Sequence, residues 1–374
     1  METQPTYRGY IAYVYAYDIA YDMVDAPIAT LQGQPVRLYQ APPTKRRPRD
    51  LFFHNPQMVS LPDQQRQGPH GPVVVTRSIK IFPVGAISLT LCVPFAVNSL
   101  PELNDYHELQ LDGRALREEV RALANELLKE LRPALVRPVD EVAEDEAYTV
   151  FFVDSDCLGH GPEAISAEAW LLRHRVEVAA LLTEEPVHRL SDQEVSDTIR
   201  GHLSYYAEDL VVSDWDAALV IDRPEEMVET LHVIELANVQ LAELQTYDRT
   251  LDAALTRSYI DLARRPRAKA RKVMWDLREI GLDLSRLTDE LSNTAKFLGD
   301  WHLARVYQHL SRLFHLDDWR KTIDEKLATL RDVYRMLRED QVNRWMITLE
   351  LAIVVLFILD LILLLLPQVH SAKP

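Results

Sequence analysis

Glycine and cysteine are both scarce in this sequence, which has 11 glycines and two cysteines, Cys92 and Cys157, among 374 residues. Loops that cradle nucleotide phosphates are glycine-rich, and neither a GxxxxGKS/T loop nor a GxGxxG motif after a strand is present. The GxSxG elbow, the HExxH helix and the CxxC pair are also missing. Two cysteines allow one disulfide at most, so we expect a reducing compartment. These absences favour a protein that is not an enzyme and that binds no cofactor.

Basic residues are also outnumbered by acidic residues. The chain has 41 Lys and Arg residues and 57 Asp and Glu residues, which give a net charge of −16. Affinity for nucleic acids comes mainly from clustered basic side chains, so we expect no nucleic-acid partner. The first residues lack the basic stretch and apolar run of a signal peptide. We therefore expect the bulk of the chain to be cytoplasmic.

One long apolar segment lies near the end of the chain. Residues 345–366 begin at Trp345 and end at Leu366, and only Glu350 and Asp360 interrupt the apolar run. The segment has the length that a helix needs to cross the hydrocarbon core, and Trp345 has the position of an interfacial aromatic. The alternative is a buried helix of a soluble protein, but such helices rarely run so long without a polar face. We therefore predict a single transmembrane helix in contact with the lipid bilayer.

The charges around this segment predict its orientation. Four arginines precede it, Arg331, Arg335, Arg338 and Arg344, whereas the short tail at 367–374 has one lysine. Positive charge stays on the cytoplasmic side, so we expect a single-pass membrane protein with residues before 345 in the cytoplasm.

Asp360 is the unusual residue of this helix, because a carboxylate inside the bilayer is costly. Three explanations stay open. The side chain could be protonated and contact another copy of the chain, it could line an ion or proton path, or its cost could simply be tolerated. We favour the contact between copies, since one helix alone cannot enclose a pore.

The sequence before the apolar segment divides into two parts, and the predicted fold is an α+β N-terminal domain followed by an all-α antiparallel helical stalk and one C-terminal transmembrane helix. Residues 1–222 show strand periodicity at 11–21, 73–75, 86–95, 148–153 and 210–221, with helical patterns between them. Residues 24–72 are rich in Pro, Gln and Arg, so we expect a loop-rich, partly disordered insertion, with a basic run at 45–49.

Residues 223–344 are predicted to form the helical stalk. Pro224 has the position of a helix start, and Pro266 interrupts the helical pattern that follows. Apolar residues in the last stalk helix recur at alternating spacings of four and three, which is typical of a coiled coil: Ile323, Leu327, Leu330, Tyr334 and Leu337. We therefore expect a homo-oligomer that associates through the stalk and the membrane helix.

Two clusters of charged residues are candidates for binding. The loop at 154–163 follows a predicted strand and has four possible metal ligands, although their spacing matches no standard zinc or calcium site: Asp154, Asp156, Cys157 and His160. A solvated loop that caps the next helix is the simpler interpretation. A basic patch at 264–272 could contact anionic lipid, a protein partner or only solvent: Arg264, Arg265, Arg267, Lys269, Arg271 and Lys272.

An acidic and aromatic patch lies close to the end of the α+β part. It consists of Tyr205, Glu208, Asp209, Asp214, Trp215 and Asp216. The patch is either a binding edge or a strand with charged ends.

Three short stretches of the chain form a recognisable set: Lys80-Ile81-Phe82-Pro83-Val84-Gly85-Ala86 and the residues at 304–319 and 349–351. With these stretches the chain resembles the Required-for-Meiotic-Nuclear-Division (Rmd/Sif) family, whose domain has no assigned function. It implies a membrane-anchored and oligomeric protein, with support of translation as the role of the mitochondrial members. It supplies no catalytic residues.

The leading hypothesis is a membrane-anchored oligomeric scaffold or tether with a cytoplasmic α/β domain. One alternative is an ion-transport component similar to CorA-type magnesium transporters, although the second membrane helix and the Gly-Met-Asn loop of those proteins are missing. The other alternative is a metal-dependent enzyme that uses the loop at 154–163.

Overall fold

The structure, a computed structural model, describes residues 6–24, 27–39, 56–142, 146–159, 164–264 and 301–365. These residues fall into two units, the first within 1–246 and 287–320 and the second within 247–286 and 321–374. The mixed α/β N-terminal region, the later helices and the apolar C-terminal helix that the sequence predicts are all present.

The strands of the described residues all lie in the first unit. They are β1 (Tyr7–Asp18), β2 (Ala20–Met23), β3 (Thr30–Leu31), β4 (Gln34–Pro35), β5 (Arg37–Leu38), β6 (Gln57–Gly68), β7 (Gly71–Ile81), β8 (Ala86–Val97), β9 (Gln110–Leu111), β10 (Arg114–Ala115), β11 (Leu135–Pro138), β12 (Glu146–Asp154), β13 (Leu210–Ser213) and β14 (Ala217–Asp222).

Eight of these strands form one sheet in the order β13-β14-β12-β1-β8-β7-β6-β5. Neighbouring strands are antiparallel except β12 and β14, which run parallel. The central strand β1 is rich in Tyr, which favours extended backbone, and it is buried from Ile11 to Tyr17. A strand that is buried on successive residues must be covered on both faces of the sheet.

The helices are α1 (Leu116–Leu131), α2 (Ala167–Arg173), α3 (Arg175–Thr183), α4 (Asp192–Arg200), α5 (Pro224–Arg264), α6 (Trp301–Leu313) and α7 (Leu316–Leu365). Ile11 and Tyr13 of β1 share one buried cluster with Leu127 of α1 and Val178 of α3, so these helices cover one face of the sheet. The opposite face meets α5, because Lys80 and Thr90 of β7 and β8 donate hydrogen bonds to Glu235.

The turn between β7 and β8 needs glycine at position 85. Gly85 has a φ of +89°, and its carbonyl oxygen accepts hydrogen bonds from the backbone N–H groups of Ile19 and Ala20, each at 3.0 Å. A Cβ atom at position 85 would collide with the carbonyl group of Ala20. The turn between β7 and β8 therefore depends on the absence of a side chain at position 85.

The prediction of a loop-rich insertion at 24–72 is wrong for the second half of this range. Residues 57–68 form β6, which pairs with β7 from Gln57 to Gly68 with a register shift between Leu61 and Gln64. Pro62 lies at this irregularity, where the hydrogen bonds between the strands are already interrupted and a missing backbone N–H group costs little. Proline and polar residues thus mark a strand near the sheet edge. The basic run at 45–49 lies outside the described residues.

In the second unit, Lys326 of α7 forms ion pairs with Asp248 and Asp252 of α5, both at 2.6 Å. Three heptad positions of α7, Ile323, Leu327 and Leu330, are each at most 1% exposed within the single chain. These side chains are therefore used inside one copy and are not available for a coiled coil between copies.

The end of α7 is different, because nothing within the described chain covers it. Trp345–Leu363 spans 19 residues with a mean hydropathy of 2.7 and is not buried inside the chain at all. Among the described residues it is the one helix long and apolar enough to cross a membrane. This composition is compatible with a membrane anchor.

Candidate functional site

The carboxyl ends of the two parallel strands β12 and β14 form an acidic edge of the sheet. Asp154 and Asp222 are register partners at this edge. The carboxyl ends of parallel strands are where ligands of open α/β sheets bind, so the fold makes this edge the first place to look for a site.

The predicted metal ligands lie in the loop that leaves this edge. Asp154 accepts a hydrogen bond from the backbone N–H of Asp156 at 3.1 Å and caps a short 3-10 helix at Ser155–Leu158. Burial raises the pKa of the Cys157 thiol to about 12, so the group is a neutral thiol at physiological pH. His160 lies outside the described residues. The capping role of Asp154 is the simpler of the two interpretations that the sequence allows.

A pocket of about 480 Å³ opens beside this loop. Its walls come from the loop after β12, the start of α2, the segment before β13 and the start of α5, and include Asp154, Asp156, Ser166, Glu208, Arg223 and Glu225. Ser166 accepts a hydrogen bond from Ala169 N–H, and Arg223 forms an ion pair with Glu208. The rim is therefore rich in hydrogen-bond acceptors and suits cations or groups with many donors.

Asp222 is the most perturbed carboxyl group at this edge, and no local sequence pattern points to it. Burial raises its pKa to about 7, and the charges of Asp209 and Glu226 add to the rise. Its side chain accepts a hydrogen bond from the backbone N–H of Arg223 at 2.7 Å. A carboxyl group that is half protonated near neutral pH can give or take a proton. No three His, Cys, Asp or Glu side chains among the described residues are grouped closely enough to hold a metal ion.

A second polar cluster lies between the sheet and α5, and it is also absent from the sequence-based candidates. Lys80 and Glu235 form an ion pair whose side chains are 6% and 1% exposed. Both residues sit in apolar surroundings, Lys80 near the end of a strand and Glu235 in the middle of a helix. A lone charge in such an apolar run is the one signal that could have identified them.

The acidic and aromatic patch is divided by the fold. Tyr205 contacts His302 at the start of α6, with ring centroids 5.8 Å apart. Trp215 contacts Phe314, just past the end of α6, with centroids 6.2 Å apart. The thirteen residues of α6 span about 20 Å, so the two halves of the patch do not form one binding edge. Asp209 instead caps its own loop by accepting the N–H groups of Tyr205 and Tyr206.

The residues of the predicted membrane and basic sites are described only in part. Trp345, Glu350 and Asp360 lie on the exposed end of α7, and Leu366 lies outside the described residues. Arg264 is the last residue of α5, and the other five basic residues of the patch lie outside the described part of the chain: Arg265, Arg267, Lys269, Arg271 and Lys272.

The molecule is thus a mixed α/β domain, with an acidic pocket at its parallel strand ends, joined to long helices and an apolar helical end. A family model described as "Uncharacterized protein MJ0711, N-terminal domain" matches residues 8–227. The match covers more than half of the chain, so the chain belongs to this family. It contains the sheet, α1 to α4 and the acidic pocket.

One curated relative carries the same description. "Uncharacterized protein MJ0711" of Methanocaldococcus jannaschii is 24% identical over 193 residues, which are 51% of this chain and 60% of the relative. The chain therefore spans less than two thirds of the length of that relative. No solved structure matches the chain.

Proposed function

We propose that this protein is a membrane-anchored scaffold or tether, which holds its α/β domain at the cytoplasmic face of a membrane. The domain would carry the binding surfaces, and the helix at 345–366 would be the anchor. One observation carries the proposal: the last part of α7, Trp345–Leu363, is apolar throughout and unburied, although it continues a helix that begins at Leu316. An apolar surface of this size is not stable in water.

The orientation is supported by the charges on α7 before the anchor. Arg331 and Arg335 are exposed on this helix, and Arg338 and Arg344 follow in the sequence. Lysine and arginine near the end of a transmembrane helix favour the cytoplasmic side.

The antiparallel stalk is part of the proposal. Only Phe314 and His315 separate α6 from α7, and His315 has a φ of +51°. Short connections of this kind favour antiparallel neighbouring helices.

Self-association is proposed to occur through the membrane helix. The heptad positions Ile323, Leu327 and Leu330 are buried within one chain, whereas Asp360 lies on an uncovered apolar helix. A carboxyl group in lipid is stabilised when a second copy supplies a hydrogen-bond partner. The resemblance to Rmd/Sif proteins agrees with an anchored oligomer and stays a prediction.

The test uses the full chain and a variant that lacks 345–374, both expressed in cells and followed through extraction with alkaline carbonate. The full chain should stay with the membrane and the shortened chain should become soluble. A chimera with an unrelated apolar helix in place of 345–366 is the control and should return to the membrane. Release of the full chain by carbonate, or membrane retention of the shortened chain, would contradict the proposal.

A further inference from the structure

The part of helix α5 from Ile234 to Leu244 is unusual because it is buried on all sides and yet carries several polar residues. Every residue from Ile234 to Leu244 is buried, and four of these residues are polar: Glu235, Asn238, Gln240 and Glu243. A helix that is buried all round is normally apolar all round. The polar side chains therefore need a physical explanation.

Glu235 is the centre of a cluster that joins α5 to two strands. Its carboxylate accepts hydrogen bonds from Lys80 of β7 and Thr90 of β8. The Lys80 ammonium also lies 3.4 Å from Nδ1 of His232 and 4.5 Å from the centre of the Tyr39 ring. The rings of Tyr39 and His232 are 4.5 Å apart. The cluster thus contains an ion pair, a hydroxyl donor and two rings in one buried place.

Two further polar residues of α5 reach partners in other directions. Asn238 donates a hydrogen bond to the carbonyl oxygen of Glu146, at the start of β12, at 3.0 Å. Gln240 accepts a hydrogen bond from the hydroxyl group of Tyr307 on α6 at 2.6 Å. The polar side chains of α5 therefore match fixed groups on four different elements, β7, β8, β12 and α6.

A buried ion pair contributes little net stability, because the cost of removing two charges from water is close to the gain from their attraction. A shift of α5 by one turn moves its side chains by about 5.4 Å, and would leave Glu235 and Lys80 buried without each other. Apolar side chains discriminate less between helix positions, because hydrophobic cores tolerate repacking when total volume and pattern are kept. The cluster penalises every alternative position of the helix much more than it stabilises the native one.

We infer that Lys80, Glu235 and Thr90 form a register lock, which fixes the translation and rotation of α5 on the sheet and is dispensable for net stability. Residues 234–244 belong to one unbroken helix, so a shift at Glu235 moves the whole buried part of α5. This inference stands independently of the proposed membrane anchor.

The test measures the position of α5 in the full chain in detergent micelles. Spin labels are attached to cysteines at Val74 of β7 and Val228 of α5, which are 44% and 42% exposed, in a background with Cys92 and Cys157 replaced by alanine. Double electron–electron resonance then gives the distribution of distances between the two labels. The double variant K80M/E235M should fold, with a distribution that is broader than in the parent chain or has a second maximum.

The matched control is R66M/E119M, which removes an ion pair between β6 and α1 and does not touch α5. Its distribution of label distances should remain as narrow as that of the parent chain. In addition, the folding equilibrium constant of K80M/E235M should exceed those of K80M and E235M by at least about tenfold, because each single variant leaves one buried charge alone.

Three results would overturn the lock. The first is a narrow, unchanged distribution in a folded K80M/E235M chain, and the second is a double variant no more stable than the single variants. The third is failure of both K80M/E235M and a second apolar pair, K80L/E235L, to fold, because the cluster would then be required for stability itself.

Discussion

Asp154 and Asp222 lie side by side at the carboxyl ends of β12 and β14, the one parallel strand pair in the eight-stranded sheet. Their environments differ. Asp154 caps the 3-10 helix that follows it, whereas burial raises the pKa of Asp222 to about 7. The edge therefore has a carboxyl group that changes charge near neutral pH beside one with a structural role.

Replacement of Asp222 by asparagine should make the folded protein more stable at neutral and higher pH. Because the pKa is higher in the folded state than the ordinary value of about 3.9, the wild-type carboxyl group destabilises the fold as pH rises. The advantage of D222N should be absent below about pH 4, grow up to about pH 7 and then stay constant, at roughly 1–2 kcal/mol for this partly exposed group. Chemical denaturation of the full chain at several pH values measures it.

The control for this experiment is Asp140→Asn, since the Asp140 side chain is fully exposed. D140N should follow the wild-type pH profile. A D222N profile parallel to that of the wild type would show that Asp222 ionises normally in the folded protein.

Much of the fold follows from local patterns. The alternating tyrosines of β1, the turn at Gly85 and the long helix after Pro224 can all be predicted because each depends on residues close in sequence. Strand β6 could not be predicted from its polar sequence. A strand near the sheet edge is stabilised by its neighbour β7, and it tolerates Pro62 at a bulge.

The dependence on residues close in sequence limits the prediction of the candidate sites even more than that of the fold. The loop after β12 was identifiable because its residues are consecutive in sequence. Asp222 was not identifiable, and Lys80 and Glu235 had only the weak signal of a lone charge in an apolar run. These residues are brought to their sites by sheet pairing and helix docking across 68 and 155 positions. Sequence separation of this kind leaves no periodic signal.

The turn between β7 and β8 offers a direct test of backbone geometry. Gly85→Ala should lower the free energy of unfolding by roughly 2 kcal/mol or more, because φ is positive and the new methyl group meets the Ala20 carbonyl. Gly33→Ala is the matched control, since Gly33 also has a positive φ but has open space around it. Gly33→Ala should lower the free energy of unfolding by only about 1 kcal/mol. Equal losses in thermal or chemical unfolding would mean that the contact with Ala20 is not limiting.

Both thiols should be unreactive in the folded protein. Burial raises the pKa of Cys92 and that of Cys157 to about 12, so the thiolate that reacts with disulfide reagents is almost absent at about pH 8. Ellman's reagent should therefore modify neither residue until guanidinium chloride unfolds the chain, when both should react. Rapid reaction of Cys157 in the native state would restore it as a candidate metal ligand. Elemental analysis of the purified chain would then decide whether a metal is bound.

The ion pairs of Lys326 should hold α5 and α7 together within the second unit. Burial alone would lower the pKa of Lys326, but the hydrogen bonds from Lys326 to Asp248 and Asp252 outweigh it and raise the pKa above the ordinary value. The ion pairs therefore contribute stability below about pH 10.5 and lose this contribution as pH rises through the higher folded-state pKa.

Lys326→Met should cost about 1–3 kcal/mol, because it leaves Asp248, whose side chain is 16% exposed, without its cation. Asp252→Asn should cost at most about 1 kcal/mol, because the Asp252 side chain is 57% exposed. Hydrogen exchange of the amides around Ile323 and Leu327 measures the loss locally. Asp332→Asn removes an exposed ion pair with Arg335 on the same helix and should leave exchange there unchanged. If all three variants exchange alike, the ion pairs of Lys326 do not hold the two helices together.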